Sequence, residues 1–157
     1  MIRGLQAEIR QTKPFRSLEE EAYLSLLRTA DRLMRKEVEA LKQHALSPTQ
    51  YNALRILRGA GSEGVTCREM SERLLTKDPD VTRLIDRLDA RGLIARARSD
   101  RDRRVVRTRI TPKGLELLAQ LDEPMHQWTL ALLGHMDQEE LRSLIQLLNR
   151  AREQPAS

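Results

Sequence analysis

The 157 residues contain one cysteine, Cys67, so no intrachain disulfide can form and the chain reads as an intracellular, cytoplasmic protein. Aromatic residues are only 3% of the total, and Leu dominates the apolar set, which favours helices over sheets. No apolar run approaches the length needed to cross a membrane. The stretch from Met1 to Phe15 lacks the apolar centre of a secretory signal. There are no internal repeats and no low-complexity tracts. No nucleophile sits near a base in sequence, no glycine-rich loop is built to cradle phosphate, and no pair of acids stands out as catalytic. An enzyme is therefore not expected, nor is a cofactor. His44, His126 and His135 lie in different segments without metal-ligand spacing, so they read as ordinary surface or pocket histidines.

Charge, by contrast, is abundant and unevenly placed. Charged residues are 32% of the chain, and the net charge is +5. The segment Arg96 to Arg109 holds seven Arg and two Asp, so it carries a net charge equal to that of the whole chain. Its residues alternate around Val105 and Val106 as a β-hairpin would, and a helix containing several Arg precedes it. An Arg hairpin beside a helix suits the reading of a DNA duplex.

Helix signals divide the chain. Met1 to Arg16 reads as a loose arm broken at Pro14. Ser17, with Glu20 as its capping-box partner, opens a long amphipathic helix that ends near His44. Ser47-Pro48-Thr49-Gln50 opens a second helix, with Tyr51, Leu54, Ile56 and Leu57 on its inner side, and Gly59, Gly61 and Gly64 stop it. Thr66 and Glu69 open a short helix through Leu74. Asp78-Pro79 reads as cap and first position of a helix from Pro79 to Arg91, with Gly92 as terminator. Its Val81, Leu84, Ile85 and Leu88 form a buried stripe, which turns Asp80, Thr82, Arg83, Asp86 and Arg87 outward. This is a helix-turn-helix. Strands over Leu93 to Arg98 and Val105 to Thr111 follow, with a tip at Ser99 to Arg104. Thr111-Pro112 starts a helix running past Leu133, which Pro124 should kink or interrupt. Asp137 and Glu140 cap a last helix to about Arg152.

This order resembles the MarR family of winged-helix transcriptional regulators. The residues that carry the resemblance are Val81-Thr82-Arg83-Leu84-Ile85-Asp86-Arg87-Leu88, Arg91-Gly92-Leu93-Ile94-Ala95-Arg96, Asp102-Arg103-Arg104, Ile110-Thr111-Pro112-Lys113-Gly114 and Asp137-Gln138-Glu139-Glu140-Leu141. The resemblance spans about Leu18 to Leu148. It implies a mainly α fold in one domain: a winged helix-turn-helix over residues 48–111 with a two-stranded wing, and long terminal helices over 17–44 and 112–152 for dimerisation. It implies that the helix starting at Pro79 enters the major groove and that Arg104 reaches into the minor groove. It further implies that Asp102 braces the wing through an ion pair, and that an effector pocket lies between the dimerisation and DNA-binding parts. The family usually has Ser or Thr where this chain has Pro79 and Asp80. Its peroxide sensors carry a reactive Cys where this chain has Phe15, Arg16 and Ser17.

Each candidate has a plainer alternative. Arg83 and Arg87 either contact bases and phosphates or pair with Asp80 and Asp86 on a solvated helix, since the element from Lys77 to Arg91 balances four basic against four acidic residues. Asp80 either reads a cytosine amino group or stabilises the helix N-terminus, and the second is preferred. Arg101, Arg103 and Arg104 either belong to a solvated loop or probe a narrow minor groove. With Arg104 as the groove probe, the other wing arginines would clamp phosphates. Thr82, Thr49 and Gln50 are candidate phosphate contacts. Cys67, beside Arg68, is a redox candidate, with a half-buried helix residue the preferred reading. Trp128, with Leu130, Leu132 and Leu133, lines a pocket or interface, or simply packs in the core.

The terminal helices carry more Leu than a small monomer can bury, which points to a homodimer. The expected partners are double-stranded DNA, a second copy and a small-molecule effector of unknown identity. A winged-helix module whose basic wing docks an acidic protein partner is the alternative, and a basic RNA-binding domain a weaker third.

Overall fold

The capping signals set where the helices begin. The computed structural model describes residues 4–98, 102 and 104–153. It opens with one helical turn, α1 (Leu5–Glu8), followed by α2 (Leu18–Lys42). An ion pair of 2.9 Å from Glu8 to Arg28 ties α1 to α2, so the expected loose arm is in part helical. At α2 the Ser17 hydroxyl accepts the Glu20 N–H, while the Glu20 carboxylate accepts the N–H of Arg16, not of Ser17. Reciprocal boxes close at α3 (Pro48–Ala60), α4 (Cys67–Arg73) and α7 (Gln138–Arg152), each satisfying two N–H groups that no helical carbonyl can reach.

The helix expected from Pro79 starts two residues later, as α5 (Val81–Ala90). Asp78 accepts the Asp80 N–H in a turn through Pro79, and Asp80 is the cap, accepting the Arg83 N–H at 2.9 Å. Two Asp two residues apart are chemically equivalent caps. Packing separates them: the apolar stripe begins at Val81, and Asp80 directly precedes it. Val81 packs against the core, and Leu84, Ile85 and Leu88 are buried in it, each contributing about 1.5–3 kcal/mol of burial. Gly92, at φ 69°, ends the element in a conformation costly for any residue with a Cβ.

The wing strands β1 (Ile94–Arg98) and β2 (Val106–Ile110) pair antiparallel, with Ile94 opposite Ile110 and Arg98 opposite Val106. Both are shorter than expected because the flanking residues serve other elements. The Leu93 N–H bonds back to Leu88, and Thr111 caps α6 (Pro112–Leu133). Val65 adds a bridge to Thr108, with N–H···O bonds of 2.9 and 2.7 Å. Gly64 permits that approach: a Cβ there would stand 2.5 Å from the Thr108 carbonyl oxygen. Gly59, expected in the turn, instead lies inside α3, and the turn runs over Gly61–Glu63 and Gly64.

Helix α6 runs through Pro124 without interruption. Pro124 is exposed, and Leu121 and Met125 beside it are buried, so packing holds the helix across the lost hydrogen bond. The core lies among α3, α4, α5 and β1 and is closed by Leu118, Leu121 and Met125 of α6. Among the described residues of α2 only Leu41 is fully buried, with Ala40 packed beside it, and α7 leaves all its side chains at least partly exposed. No helix among the described residues is long and apolar enough to cross a membrane.

Candidate nucleic-acid interface

The outer face of α5 and the adjoining wing form one surface. Thr82, Arg83 and Arg87 are exposed on α5, with Pro79 exposed in the turn before it. Asp80 is engaged at the N-terminus of the helix, which is the preferred of its two readings. Asp86 is bonded to Arg96 of β1, whose Nε also stands 3.5 Å from Asp89. Of the acids that offered Arg83 and Arg87 an alternative role, Asp80 is engaged by the Arg83 backbone N–H and Asp86 by Arg96. Among the described residues neither guanidinium makes an ion pair.

The wing arginines divide by strand geometry. Ser99, Asp100, Arg101 and Arg103 lie outside the described residues. Arg96 faces α5. Arg107, on the other face of the hairpin, donates to the carbonyl oxygens of Glu63 (2.7 Å) and Gly64 (3.1 Å) and to the Glu69 carboxylate (3.2 Å). The expectation that every Arg besides Arg104 clamps phosphate is thus corrected for Arg96 and Arg107. Alternation along a strand sends such residues to protein partners on either face. Arg98 and Arg104 are exposed. The Arg109 Nε is buried without a hydrogen-bond partner among the described residues. Asp102 braces the tip through backbone: its carboxylate accepts the Arg104 N–H at 2.9 Å and its carbonyl the Val105 N–H at 2.9 Å. Among the described residues no cation pairs with it, so the implied ion pair is not seen there.

These contacts shift the groups that make them. Glu69 is held below the usual carboxylate range by the Thr66 N–H, with Arg107 adding to the effect. Arg96 is raised, first by its hydrogen bond to Asp86. The arginines of this surface stay charged across the ordinary pH range.

The profile of the MarR family matches residues 45–105. A MarR transcription factor from Planctomyces limnophilus, of known crystal structure, is 47% identical, over 87% of this chain and 98% of that one, with a TM-score of 0.66. The chain belongs to the MarR family. It is a DNA-binding transcriptional regulator on a winged-helix scaffold. The transcriptional repressor MprA of Escherichia coli (strain K12) is 29% identical over 119 residues, covering 76% of this chain and 68% of that protein. The fold is also that of S. aureus MepR, solved as a MepR–DNA complex, at 22% identity and a TM-score of 0.73 over 82% of this chain and 95% of that one.

Other sequence candidates of this MarR-family regulator meet varied surroundings. Gln50 spends its side-chain oxygen on the Ser47 N–H, and Thr49 is half-buried. Cys67 is exposed at the start of α4, where a half-buried residue was preferred, because Thr66 and Met70 take the inward positions. No group of three or more His, Cys, Asp and Glu among the described residues is placed to hold a metal. Trp128 is half-buried on α6. It packs against the core and, with Lys36, Glu39, Ala40, Ala131 and Leu132, lines a cleft of about 380 Å³ between α2 and α6. Leu75 escaped notice in the sequence. It is 83% exposed in the turn before α5, with its N–H held by the Asn52 side chain at 2.9 Å. Its only signal was an apolar residue falling outside the α5 stripe. Arg91, read in the sequence only as the end of its helix and part of the family motif, donates to the His44 and Ala45 carbonyl oxygens and fastens the end of α5 to the α2–α3 turn.

Proposed function

We propose that the regulator is a homodimeric, ligand-responsive repressor of a pseudo-palindromic operator. In this reading residues 48–111 bind DNA and residues 17–44 and 112–152 hold two copies together. The observation that carries it is the surface on which Thr82, Arg83 and Arg87 stand exposed beside an Arg-rich wing while Asp80, Asp86 and Asp89 are engaged elsewhere. Helix α5, entered through Pro79 and Asp80, lies in the major groove, where Arg83 reads base edges and Thr82 and Arg87 contact phosphate or base. The tip, with Arg101, Asp102, Arg103 and Arg104, lies over the minor groove, and Arg104 enters it.

Dimerisation is supported by apolar side chains that one copy leaves uncovered: Leu27, Met34 and Val38 on α2, Ile145 and Leu147 on α7. A two-fold axis would present the two α5 helices to major grooves about one turn, ~34 Å, apart. The cleft at Trp128 borders α2 and α6, which both belong to the dimerisation region, so a small molecule seated there would change the spacing of the two DNA-binding halves. Repression is supported by the names of relatives such as the repressors MprA and MdtR. Duplex DNA as partner supports a cytoplasmic location.

The test is a salt titration of binding to duplexes selected from a random pool. Affinity should fall steeply with salt. Arg104→Ala should reduce the log–log slope by about one, and Arg83→Ala should cost about 1–3 kcal/mol and relax the choice of base at one position of each half-site. A slope unchanged by Arg104→Ala, or equal affinity for single strands, would overturn the reading.

A further inference from the structure

We infer that Arg96 is a positioning residue for DNA binding, one that locks the wing to α5 at the angle needed to engage both grooves together. The inference rests on the assignment of α5 and the wing to DNA. Arg96 stands opposite Thr108 in the hairpin, on the face that also carries the buried Ile94. That face looks toward α5, where Asp86 and Asp89 are three residues apart and so share one side of the helix. The guanidinium meets both: Nη2 bonds Asp86, and Nε is 3.5 Å from Asp89.

The opposite strand is anchored elsewhere. Arg107 fastens β2 to the turn before α4 and to Glu69, and the Val65–Thr108 bridge reinforces it. The hairpin is therefore tied to the helix-turn-helix at two places, and Arg96 makes the tie to the helix assigned to the major groove. A guanidinium shared between two carboxylates is not available to a phosphate. All three side chains are 35–56% exposed, a setting in which an ion pair adds little to folding stability. Its effect lies in pre-organisation. Two surfaces that must seat together bind more tightly when their relative orientation is settled before contact. Binding that uses phosphates indiscriminately depends less on that orientation.

The experiment compares Arg96→Gln, Asp86→Asn and Arg104→Ala in the full chain. Binding is measured to an operator duplex selected by the unsubstituted protein and to an unrelated duplex of equal length. Arg96→Gln should weaken operator binding about tenfold while affinity for the unrelated duplex stays within about twofold. The thermal midpoint should stay within about 2 °C and the salt slope within about half a unit. Asp86→Asn gives a second variant with an opposed expectation. Removing a negative charge from a DNA-facing surface should by simple electrostatics tighten binding, whereas loss of the lock weakens operator binding. Tighter operator binding by Asp86→Asn would overturn the inference. So would a slope lowered by about one in Arg96→Gln, which marks a direct phosphate contact. Equal losses on both duplexes would mark a merely structural role and overturn it too, as would unchanged operator affinity. If Arg104→Ala leaves affinity and slope untouched, the assignment of the wing to DNA fails, a result distinct from any of these.

Discussion

Leu54, Leu57 and Leu88 are completely buried, whereas Leu27, Met34 and Leu147, no less apolar, are about half or more exposed on α2 and α7. All six lie on amphipathic helices. The difference is what faces them. Helices α3, α4 and α5 pack against one another, with β1 and part of α6 completing the enclosure, so their stripes close on a shared core. Among the described residues α2 buries only Leu41 fully and α7 buries none, so much of their apolar sides is left uncovered by this copy. Amphipathicity states that a helix needs a partner and leaves open whether the partner belongs to the same molecule.

The largest effect should come from the closed region. Leu88→Ala should cost about 3 kcal/mol of folding stability, measured by denaturant unfolding, through lost transfer energy and the cavity left behind. The loss should not depend on protein concentration. Ile145→Glu, on a side chain 57% exposed, should do the reverse. It should leave the fold of each copy intact and weaken the dimer by about 2 kcal/mol, roughly 30-fold in dissociation constant by sedimentation equilibrium. An unchanged dimer would break the comparison, because α7 would then have a different partner or none.

The smallest effect should come from the joint between the regions, where Arg58 of α3 holds Asp122 of α6 in a bidentate pair of 2.7 and 2.9 Å. The hydrogen bond from Arg58 lowers the Asp122 carboxyl below its ordinary 3.8. A depressed carboxyl pKa contributes stability above the unfolded value, and that contribution disappears as pH falls through the folded value. Both side chains are more than a third exposed, so screening keeps the contribution to about 0.5 kcal/mol. Asp122→Asn should therefore lower stability slightly at pH 7 and flatten its decline below about pH 4 in thermal melts. A large effect at neutral pH would mean that the two regions are coupled more tightly than their packing indicates.

Much of this was legible in the chain. Ser17, Ser47, Thr66 and Asp137 mark helix starts because a short oxygen-bearing side chain three residues before an N–H donor meets it locally. The α5 stripe and Gly92 were legible for the same reason: both depend on neighbours within a turn or two. Where two local solutions look alike, as with Asp78 and Asp80, the sequence pattern favours Asp78 with Pro79 after it, and the structure takes Asp80. The cationic surface was legible in total charge and not in its distribution, since seven arginines in one segment look alike until each acquires a direction.

The amino-acid order by itself determined the elements, the helix-turn-helix, the hairpin and the excess of positive charge, because spacing, capping and like-charge clustering act over a few residues. Tertiary structure decided which arginines remain available to DNA. Arg96 meets Asp86 and Asp89 across ten and seven residues of sequence, and Arg107 meets Glu63, Gly64 and Glu69 across about forty. Those partners exist only once the hairpin folds back on the helices, and the pleat of a strand turns alternate arginines toward them or away. The segment that carries the whole net charge therefore serves in part to hold the wing in place.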